Sequence, residues 1–399
     1  MRVGQPINNE FQRTFCSVFS LTLQKDDTLL ILLDRMSKYF NGSLFLITIL
    51  ISVNIALSES DGADENPVVE DRTTGALDFI VQTCSSLGNC QSLTTGLVVD
   101  NNWRGVYYNL CYDPKKCDKI PTVSEYQNLF GLTVSPSKTS LTLKYVPTAP
   151  GPRIYLTTGP GTDSYQMVYL LNREISFDVD LSTVGCGLNA AFFFVGMDAD
   201  GGKAKFGYKG PVYGTGYCDA QVAQGNKPNC YELDIIESNS LTTLLATHTC
   251  KAANNCEPTG CGFMPYPLGN KNFYGRGSSY CVDTTKPFTD TGNLKEIQRI
   301  YKQNGKTIPN PTVAGNFNSI SDAFCSYTGQ NNLGGISASM TQGLKNGMVL
   351  TMGLWGDLKN PNFMGWLDKP PNGPCPVYTN LTPSVTFSNV KFGPIGSTA

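Results

Sequence analysis

Histidine is almost absent from this chain, whose 399 residues include only one, His248. A metal centre built on several histidines is therefore excluded, and a histidine-based triad has a single candidate. Charge is also scarce, because Lys, Arg, Asp and Glu make up 16% of the residues, against about 25% in an average soluble domain. The 30 basic and 32 acidic residues nearly cancel, so no net field attracts nucleic acid or an anionic membrane. Such a surface suits a neutral, hydroxyl-rich partner.

Helical periodicity, internal repeats and a Pro/Ser/Thr-rich linker are missing as well. β-Branched and aromatic runs instead recur between clusters of Gly, Pro, Asn and Asp, a pattern typical of a β-sandwich or barrel. Polar and apolar residues alternate over residues 140–145, 174–180 and 384–390, so each of these strands should bury one face. Residues 190–195 are apolar throughout and predict a central strand. The sequence therefore predicts one all-β domain.

The apolar run near the N-terminus, residues 44–53, falls far short of the ~20 residues that span a membrane. With Lys38 before it and the small residues Ala56 and Ser58 after it, it has the anatomy of a secretory signal peptide that begins at Met36. We expect the mature protein to be secreted without a membrane anchor. Whether translation starts at Met1 or at Met36 stays open. The predicted segments are an untranslated extension (1–35), a signal peptide (36–58), an acidic leader (59–74) and the folded domain (75–399).

Cysteine is abundant, with 14 residues in the full chain. Cleavage after Ser58 would remove Cys16 and leave 13. Because cysteines of secreted proteins pair in an oxidising compartment, an odd number predicts one unpaired thiol.

Three carboxylates crowd the segment YELDIIESN. Ile235 and Ile236 favour a strand, on which Glu232 and Asp234 point to the same face. Glu237 is an odd step from Asp234 and would face the other way on a regular strand. A β-bulge, or the end of the strand, would return it to the same face.

Carboxylates packed on one wet face raise the pKa of at least one of them, as a general acid requires. An ionised nucleophile about 5–5.5 Å from a protonated acid is the arrangement of a retaining glycosidase. The same motif is compatible with an acidic exposed strand or a calcium site. By itself it does not decide between these interpretations.

The surrounding sequence resembles glycoside hydrolase family 7, the secreted cellulases that include endoglucanases and cellobiohydrolases. The resemblance spans roughly residues 76–398. It implies a concanavalin-like β-jelly-roll sandwich of two curved antiparallel sheets, with a groove for glucan on the concave face. The segments that carry it are YLLNRE (169–174), FDVD (177–180), CGLN (186–189), MDADGG (197–202), YGTGYCD (213–219), ELDIIESN (232–239) and VTFSNVKFGPIG (385–396).

The resemblance also implies roles for the carboxylates. Glu232 would be the nucleophile and Glu237 the general acid/base, while Asp234 would hold Glu232 in place. His248 matches the family histidine near the leaving-group sugar, although a lone histidine is more often structural. No cofactor and no metal ion are implied.

All three tryptophans match sugar platforms of the family, where an indole face stacks on a pyranose. Trp103 would form a distant platform on the glycone side, Trp355 a nearer one, and Trp366 the one just past the cleavage point. Asn189 and Gln221 would be further substrate-binding residues.

The family's disulfides can be carried over where both cysteines are present. Six bridges then use twelve cysteines and leave Cys281 as the free thiol. The implied pairs are Cys84–Cys90, Cys111–Cys117, Cys186–Cys375, Cys218–Cys230, Cys250–Cys256 and Cys261–Cys325.

Departures from the family pattern favour an open cleft. Only 11 residues separate Cys218 from Cys230, where the cellobiohydrolases carry a long insertion. Pro267 and Thr259 replace charged residues of their product sites, and Gly105 takes the place of their tunnel-entrance tryptophan. A polymer could therefore enter sideways and be cut internally.

We therefore expect a monomeric, retaining endo-β-1,4-glucanase that acts on cellulose-type β-glucan. Ile236, Ser238 and Phe193 differ from the family pattern close to the chemistry, and each could alter affinity or substrate choice. The alternatives are an exo-acting cellobiohydrolase, the same chemistry on xylan or mixed-linkage glucan, and a non-catalytic glucan-binding sandwich.

Overall fold

Strands account for most of the regular structure in the computed structural model. The described residues are 77–100, 113–117, 120–148, 151–223, 225–252, 254–293, 297–330, 332–375 and 382–398. They lie within one compact unit, Val69–Ala399. Trp103, Cys111, Gly105 and the predicted segments before residue 75 lie outside the described residues.

Twenty strands occur in these ranges. They are β1 (Leu77–Ser86), β2 (Asn89–Val99), β3 (Leu132–Val134), β4 (Ser140–Lys144), β5 (Arg153–Thr157), β6 (Met167–Val168), β7 (Arg173–Asp180), β8 (Leu188–Val195), β9 (Glu232–Ser238), β10 (Thr243–His248), β11 (Cys250–Ala252), β12 (Asn255–Cys256), β13 (Cys261–Phe263), β14 (Tyr274–Gly275), β15 (Val282–Asp283), β16 (Phe288–Asn293), β17 (Gln298–Gln303), β18 (Lys306–Pro309), β19 (Met348–Gly356) and β20 (Ser384–Pro394).

The described helices are short. They are α1 (Val123–Phe130), α2 (Lys203–Phe206), α3 (Asp322–Thr328), α4 (Thr341–Asn346) and α5 (Gly365–Asp368), with single turns at Pro211–Tyr213, Ile336–Met340 and Pro361–Met364. Helix α1 begins at a capping box, in which the Thr122 hydroxyl accepts from the Glu125 N–H at 3.2 Å and the Glu125 carboxylate accepts from the Thr122 N–H at 2.9 Å. It ends at Gly131, whose φ of 66° suits glycine. None of the described helices has the length and apolar content needed to cross a bilayer.

Backbone hydrogen bonds join most of the strands into one path, β13-β10-β9-β8-β19-β5-β2-β1-β20-β7-β16-β17-β18. Neighbours on this path are antiparallel, except that β1 and β20 pair parallel. The path folds back on itself through β2 and β1. We call β13, β10, β9, β8, β19 and β5 the groove-side layer, and β4, β20, β7, β16, β17 and β18 the back layer.

The core lies between the two layers. Phe177 of β7 stacks on Phe192 of β8 with ring centroids 3.8 Å apart, and Phe387 of β20 lies 5.6 Å from the same Phe192 ring. All three side chains are fully buried, and burial of such a side chain stabilises a fold by about 1.5–3 kcal/mol. The all-β sandwich predicted from the sequence is therefore confirmed, with hydrogen bonding continuous from one layer to the other.

The strand assignments follow the residue patterns. β8 is buried along its whole length, as predicted for a central strand. The alternating segments at 140–145, 174–180 and 384–390 became β4, β7 and β20. In β20 the apolar side chains of Val385 and Phe387 face the core, with partly exposed polar residues between them.

Disulfides close both short loops and long stretches of the chain, with separations from 6 to 189 residues. Five of the six predicted pairs are present, namely Cys84–Cys90, Cys186–Cys375, Cys218–Cys230, Cys250–Cys256 and Cys261–Cys325. Cys117 is also disulfide-bonded, and its predicted partner lies outside the described residues.

The prediction of a free thiol at Cys281, made for the chain without residues 1–58, is wrong for the full chain. Cys281 is disulfide-bonded, and none of the described cysteines is free. The prediction depended on removing Cys16 with the N-terminal segment, which makes the count odd. The full chain has 14 cysteines, an even number, so pairing need not leave a remainder.

Candidate active site

A bulge in β9 shapes the centre of the groove-side layer. On the β8 side, Phe192 pairs with Ile236 while Phe193 pairs with Asp234. One step along β8 therefore corresponds to two steps along β9, so Ile235 is the extra residue.

The pairing with β10 shows the same irregularity. Ala246 pairs with Asp234 and Leu244 with Glu237, so two steps on β10 match three on β9. The bulge reverses the alternation after Asp234, and Glu237 returns to the face that carries Glu232. The structure therefore has the bulge that the sequence pattern requires, and the three carboxylates line one groove.

His248 faces the centre of this carboxylate group from the end of β10. Its Nε2 lies 3.3 Å from Oδ2 of Asp234, and its Nδ1 lies 3.0 Å from the backbone carbonyl of Glu257. A carbonyl only accepts, so Nδ1 carries a proton. Burial lowers the pKa of His248, but the negative charges of Glu232 and Asp234 outweigh this and raise it to about 10. The imidazole is therefore a cation at neutral pH.

The pKa values of Glu232 and Asp234 are both raised. Burial raises the pKa of Glu232 well above its ordinary value, and the charges of Asp234 and Asp219 raise it further. Burial also raises the pKa of Asp234, while the hydrogen bond and charge of His248 lower it. The cluster therefore favours a shared proton over full ionisation, with His248 offsetting part of the negative charge.

Glu237 is held by an amide. Asn189 donates from Nδ2 to Oε1 of Glu237 at 2.8 Å, and its own Oδ1 accepts from the Ser238 N–H at 2.8 Å. The second bond fixes which way the amide points, because only Oδ1 can accept from a backbone N–H. Asn189, predicted as a substrate-binding residue, therefore orients Glu237 in this structure.

The groove itself has a volume of about 650 Å³. Trp355 and Trp366 stack with ring centroids 6.1 Å apart and an interplanar angle of 25°, and Trp366 is 41% exposed. Gln221 lies on the rim, where its Nε2 donates to the Pro258 carbonyl at 3.0 Å. The predicted site residues that line the groove are Gln221, Glu232, Asp234, Glu237, His248, Trp355 and Trp366. Trp103 is outside the described residues.

Several residues of the groove were not predicted as site residues. Arg153 lies over the ring of Tyr217, 3.2 Å from its centroid, and donates from Nε to Asp100 at 2.8 Å. The Tyr217 hydroxyl donates to Asp219 at 2.6 Å. Two features of the sequence could have indicated these residues. Arg153 is a charged residue at the start of the apolar segment RIYLT, and Tyr217 and Asp219 lie in the segment YGTGYCD, which carries the resemblance.

The groove lining includes two positions that depart from the family pattern, and neither is charged. They are Thr259 and Pro267. Thr328 and Leu268 belong to the same lining. These four side chains offer apolar and hydroxyl groups to a ligand.

One group of atoms has the spacing of a metal site. A carboxylate oxygen from each of Glu232 and Asp234 and a ring nitrogen of His248 lie within 4.8 Å of one another. Metal ligation needs a neutral imidazole, whereas the pKa of His248 is raised to about 10 and the imidazole is a cation at neutral pH. The arrangement therefore fits proton sharing better than ligation.

A groove that combines clustered carboxylates, one held by an amide, with stacked tryptophans defines a carboxylate-dependent glycoside hydrolase. The sequence profile of Glycosyl hydrolase family 7 matches residues 70–229 and 223–399. The chain belongs to this family.

Known relatives include both endo- and exo-named proteins. Endoglucanase EG-1 of Hypocrea jecorina is 33% identical over 408 residues, covering 89% of this chain and 84% of the relative. A solved structure of endoglucanase I complexed with cellobiose superposes with a TM-score of 0.71 at 30% identity, covering 81% of this chain and 98% of that one. A cellobiohydrolase from Daphnia pulex gives a TM-score of 0.69 at 29% identity, covering 83% and 99%.

Proposed function

We propose that the protein is a retaining endo-β-1,4-glucanase that cuts cellulose-type β-glucan internally in an open cleft. The observation that carries the proposal is the β9 bulge, which brings Glu237 to the groove face beside Glu232 and Asp234. The endoglucanase names of the relatives support the same activity.

In the first step, Glu237 protonates the glycosidic oxygen as it leaves, and Glu232 attacks the anomeric carbon. Because Oε1 of Glu237 accepts from Asn189, the transferable proton sits on Oε2. A covalent glycosyl-enzyme forms and the leaving chain departs with its new hydroxyl group.

In the second step, Glu237 removes a proton from water, and the hydroxide attacks the anomeric carbon to release Glu232. The two displacements retain the anomeric configuration. No cofactor or metal ion takes part.

Asp234 and His248 support the nucleophile. The imidazolium lowers the pKa of both Asp234 and Glu232, which offsets part of the rise that burial causes in the nucleophile. Asp234 holds the imidazolium beside Glu232 through the 3.3 Å contact.

Substrate binding would use the tryptophans and the groove walls. Trp355 and Trp366 offer faces for pyranose rings, and Gln221 offers an amide at the rim. Trp103 would extend the platform on the glycone side, as the resemblance implies.

The activity test compares viscosity with sugar release on soluble carboxymethylcellulose. An endo-acting enzyme lowers the viscosity much faster than reducing ends accumulate. A Glu232→Gln variant should lose hydrolysis; if it hydrolyses as fast as the unaltered protein, the nucleophile assignment is wrong.

A cellobiohydrolase activity is the second candidate, because the Daphnia pulex cellobiohydrolase is covered almost completely by this chain. Slow viscosity loss with steady cellobiose release would favour it. Rates on a panel of xylan, mixed-linkage glucan and carboxymethylcellulose would separate the substrate alternatives, and no sugar release on any of them would leave a glucan-binding protein.

The proposal includes a secreted monomer. Residues 36–58 would be removed as a signal peptide and residues 75–399 would form the single catalytic domain, after an acidic leader at 59–74. The N-terminal mass of protein recovered from the medium tests the cleavage, and the sedimentation coefficient tests the oligomeric state.

A further inference from the structure

A fully buried arginine reaches the β9 bulge from the opposite layer. Arg299 of β17 has no exposed side-chain surface. Its Nη1 donates to the carbonyl of Ile235 at 2.8 Å and to that of Leu244 at 3.1 Å. Ile235 is the extra residue of the bulge, and Leu244 is paired with Glu237 across the strands. One guanidinium nitrogen therefore joins β9 and β10 at the level where the alternation reverses.

The surroundings of Arg299 are poorly suited to a residue kept for stability alone. Its Nε lies 3.6 Å from Oδ2 of Asp290, which is also fully buried. Among the described residues, Nε and Nη2 of Arg299 and both carboxylate oxygens of Asp290 have no hydrogen-bond partner. A buried ion pair with incomplete hydrogen bonding is often no more stable than well-packed apolar residues. The hydrogen bonds that Arg299 makes at the bulge are therefore the better explanation of why an arginine lies there.

A bulge needs such support because it interrupts the ladder of hydrogen bonds. Without the bulge, β9 would alternate regularly, and Glu237 would turn away from the face of Asp234. The contact of Asn189 with Glu237 would then be lost as well. On the side of the bulge that faces β8, the Ser238 N–H donates to Asn189. On the side that faces the core, Arg299 holds the bulge.

We infer that Arg299 is a positioning residue for the proposed acid/base Glu237, acting through the carbonyl groups of Ile235 and Leu244 at the bulge. The inference rests on the proposed function. Arg299 contacts no reacting atom, and its effect is to keep Glu237 at the distance and angle that proton transfer requires.

The test replaces Arg299 in two backgrounds. Arg299→Met keeps an unbranched apolar side chain and removes Nη1, and with it both hydrogen bonds to the carbonyl groups. The double variant with Asp290→Asn also removes the carboxylate that would otherwise stay buried without its cation. Arg276→Met is the matched control, because Arg276 also donates to a backbone carbonyl, that of Ser182, outside the carboxylate cluster.

Two substrates separate misplaced acid catalysis from general damage. Carboxymethylcellulose needs protonation of its leaving group, whereas 2,4-dinitrophenyl cellobioside has a leaving group that departs without it. A displacement of about 1 Å can cost roughly 100-fold in rate, so kcat/KM for the polymer should fall by about that factor. The kcat/KM value for the dinitrophenyl substrate should stay within a factor of about two. Azide should restore kcat on the dinitrophenyl substrate, because it replaces the water that Glu237 can no longer activate.

The outcomes distinguish the inference from the function it rests on. Equal losses on both substrates, or no loss on either, would overturn the positioning role. If Glu237→Gln shows no selective loss on the polymer, the proposed function fails instead. If neither methionine variant gives folded protein, as judged by circular dichroism, Arg299→Lys carries the test, since a lysine keeps the cation but its ammonium group ends one atom short of Nη1, which makes both hydrogen bonds. If Arg299→Lys is as active as the unaltered protein on both substrates, the positioning role of Arg299 is rejected.

Discussion

Replacement of the only histidine tests the electrostatics of the site most directly. His248→Gln leaves an amide that can still hydrogen-bond to Asp234 but carries no charge. Because the cation lowers the pKa of Glu232 and Asp234, its removal should raise both. The nucleophile would then be protonated over more of the acid range, so the acid limb of the pH profile of kcat/KM should move to higher pH.

The size of the shift follows from the contact distance. At 3.3 Å between Nε2 of His248 and Oδ2 of Asp234, an effective dielectric constant of 20 gives an attraction of about 5 kcal/mol. If roughly a quarter of this reaches the nucleophile, about 1.25 kcal/mol, the acid limb moves by about 0.9 pH unit.

The assay is the pH dependence of kcat/KM on a chromogenic cellobioside, from pH 3 upward in steps of half a unit. Lys227→Met is the control, because Lys227 is a buried cation paired with Asp198 that does not affect the carboxylates of the site. An acid limb that stays in place, or moves to lower pH, in His248→Gln would refute the electrostatic reasoning.

Three further predictions concern stability and binding. The pKa of His248 is raised in the folded protein from 6.5 to about 10, so its stabilising contribution is present below about pH 6.5 and is lost as the pH rises through 10. The difference in Tm between the unaltered protein and His248→Gln should therefore shrink over this pH range. Parallel curves of Tm against pH would contradict this prediction. Removal of the Cys186–Cys375 bridge by two alanines opens a loop of 189 residues and should lower the free energy of unfolding by up to about 5 kcal/mol, measured by urea titration, whereas unchanged midpoints would show that the loop is constrained by other contacts. Trp366→Ala should raise KM for soluble cellulose about fivefold with kcat nearly unchanged, if stacking is worth about 1 kcal/mol. The control Tyr169→Ala removes another exposed aromatic ring, outside the groove lining, and should leave KM unchanged. Equal effects of the two variants on KM would argue against a sugar platform at Trp366.

The active site shows which side-chain positions a local sequence pattern can predict. Alternation along ELDIIES places Glu232 and Asp234 on one face, since that follows from the period of a strand. The position of Glu237 depends on a bulge, and Arg299, 64 residues after the bulge residue Ile235, contacts it from the other layer. No pattern within β9 contains this information, so the sequence could state only that a bulge or the end of the strand would return Glu237 to the shared face.

Buried charges were the features that the sequence revealed least. In QRIYKQ the alternation allows either Ile300 or Tyr301 to face the core, and the structure buries Arg299 and Tyr301 while Ile300 is only partly buried. Arg153 likewise begins an apolar strand, and its partner Asp100 lies 53 residues earlier. Such positions are decided by contacts between layers, whereas the apolar strand β8 and the alternating strand β20 follow from local pattern alone.

The two ends of the main strand path also affect how the protein behaves among its own copies. β13 spans three residues and is tied to α3 by the Cys261–Cys325 bridge, while β18 spans four and carries Lys306 and Pro309. Short edges with lysine or proline discourage the addition of a strand from another molecule. Molecules at high concentration therefore meet few unpaired backbone groups at these two edges, which hinders the addition of one molecule's strand to the sheet of another.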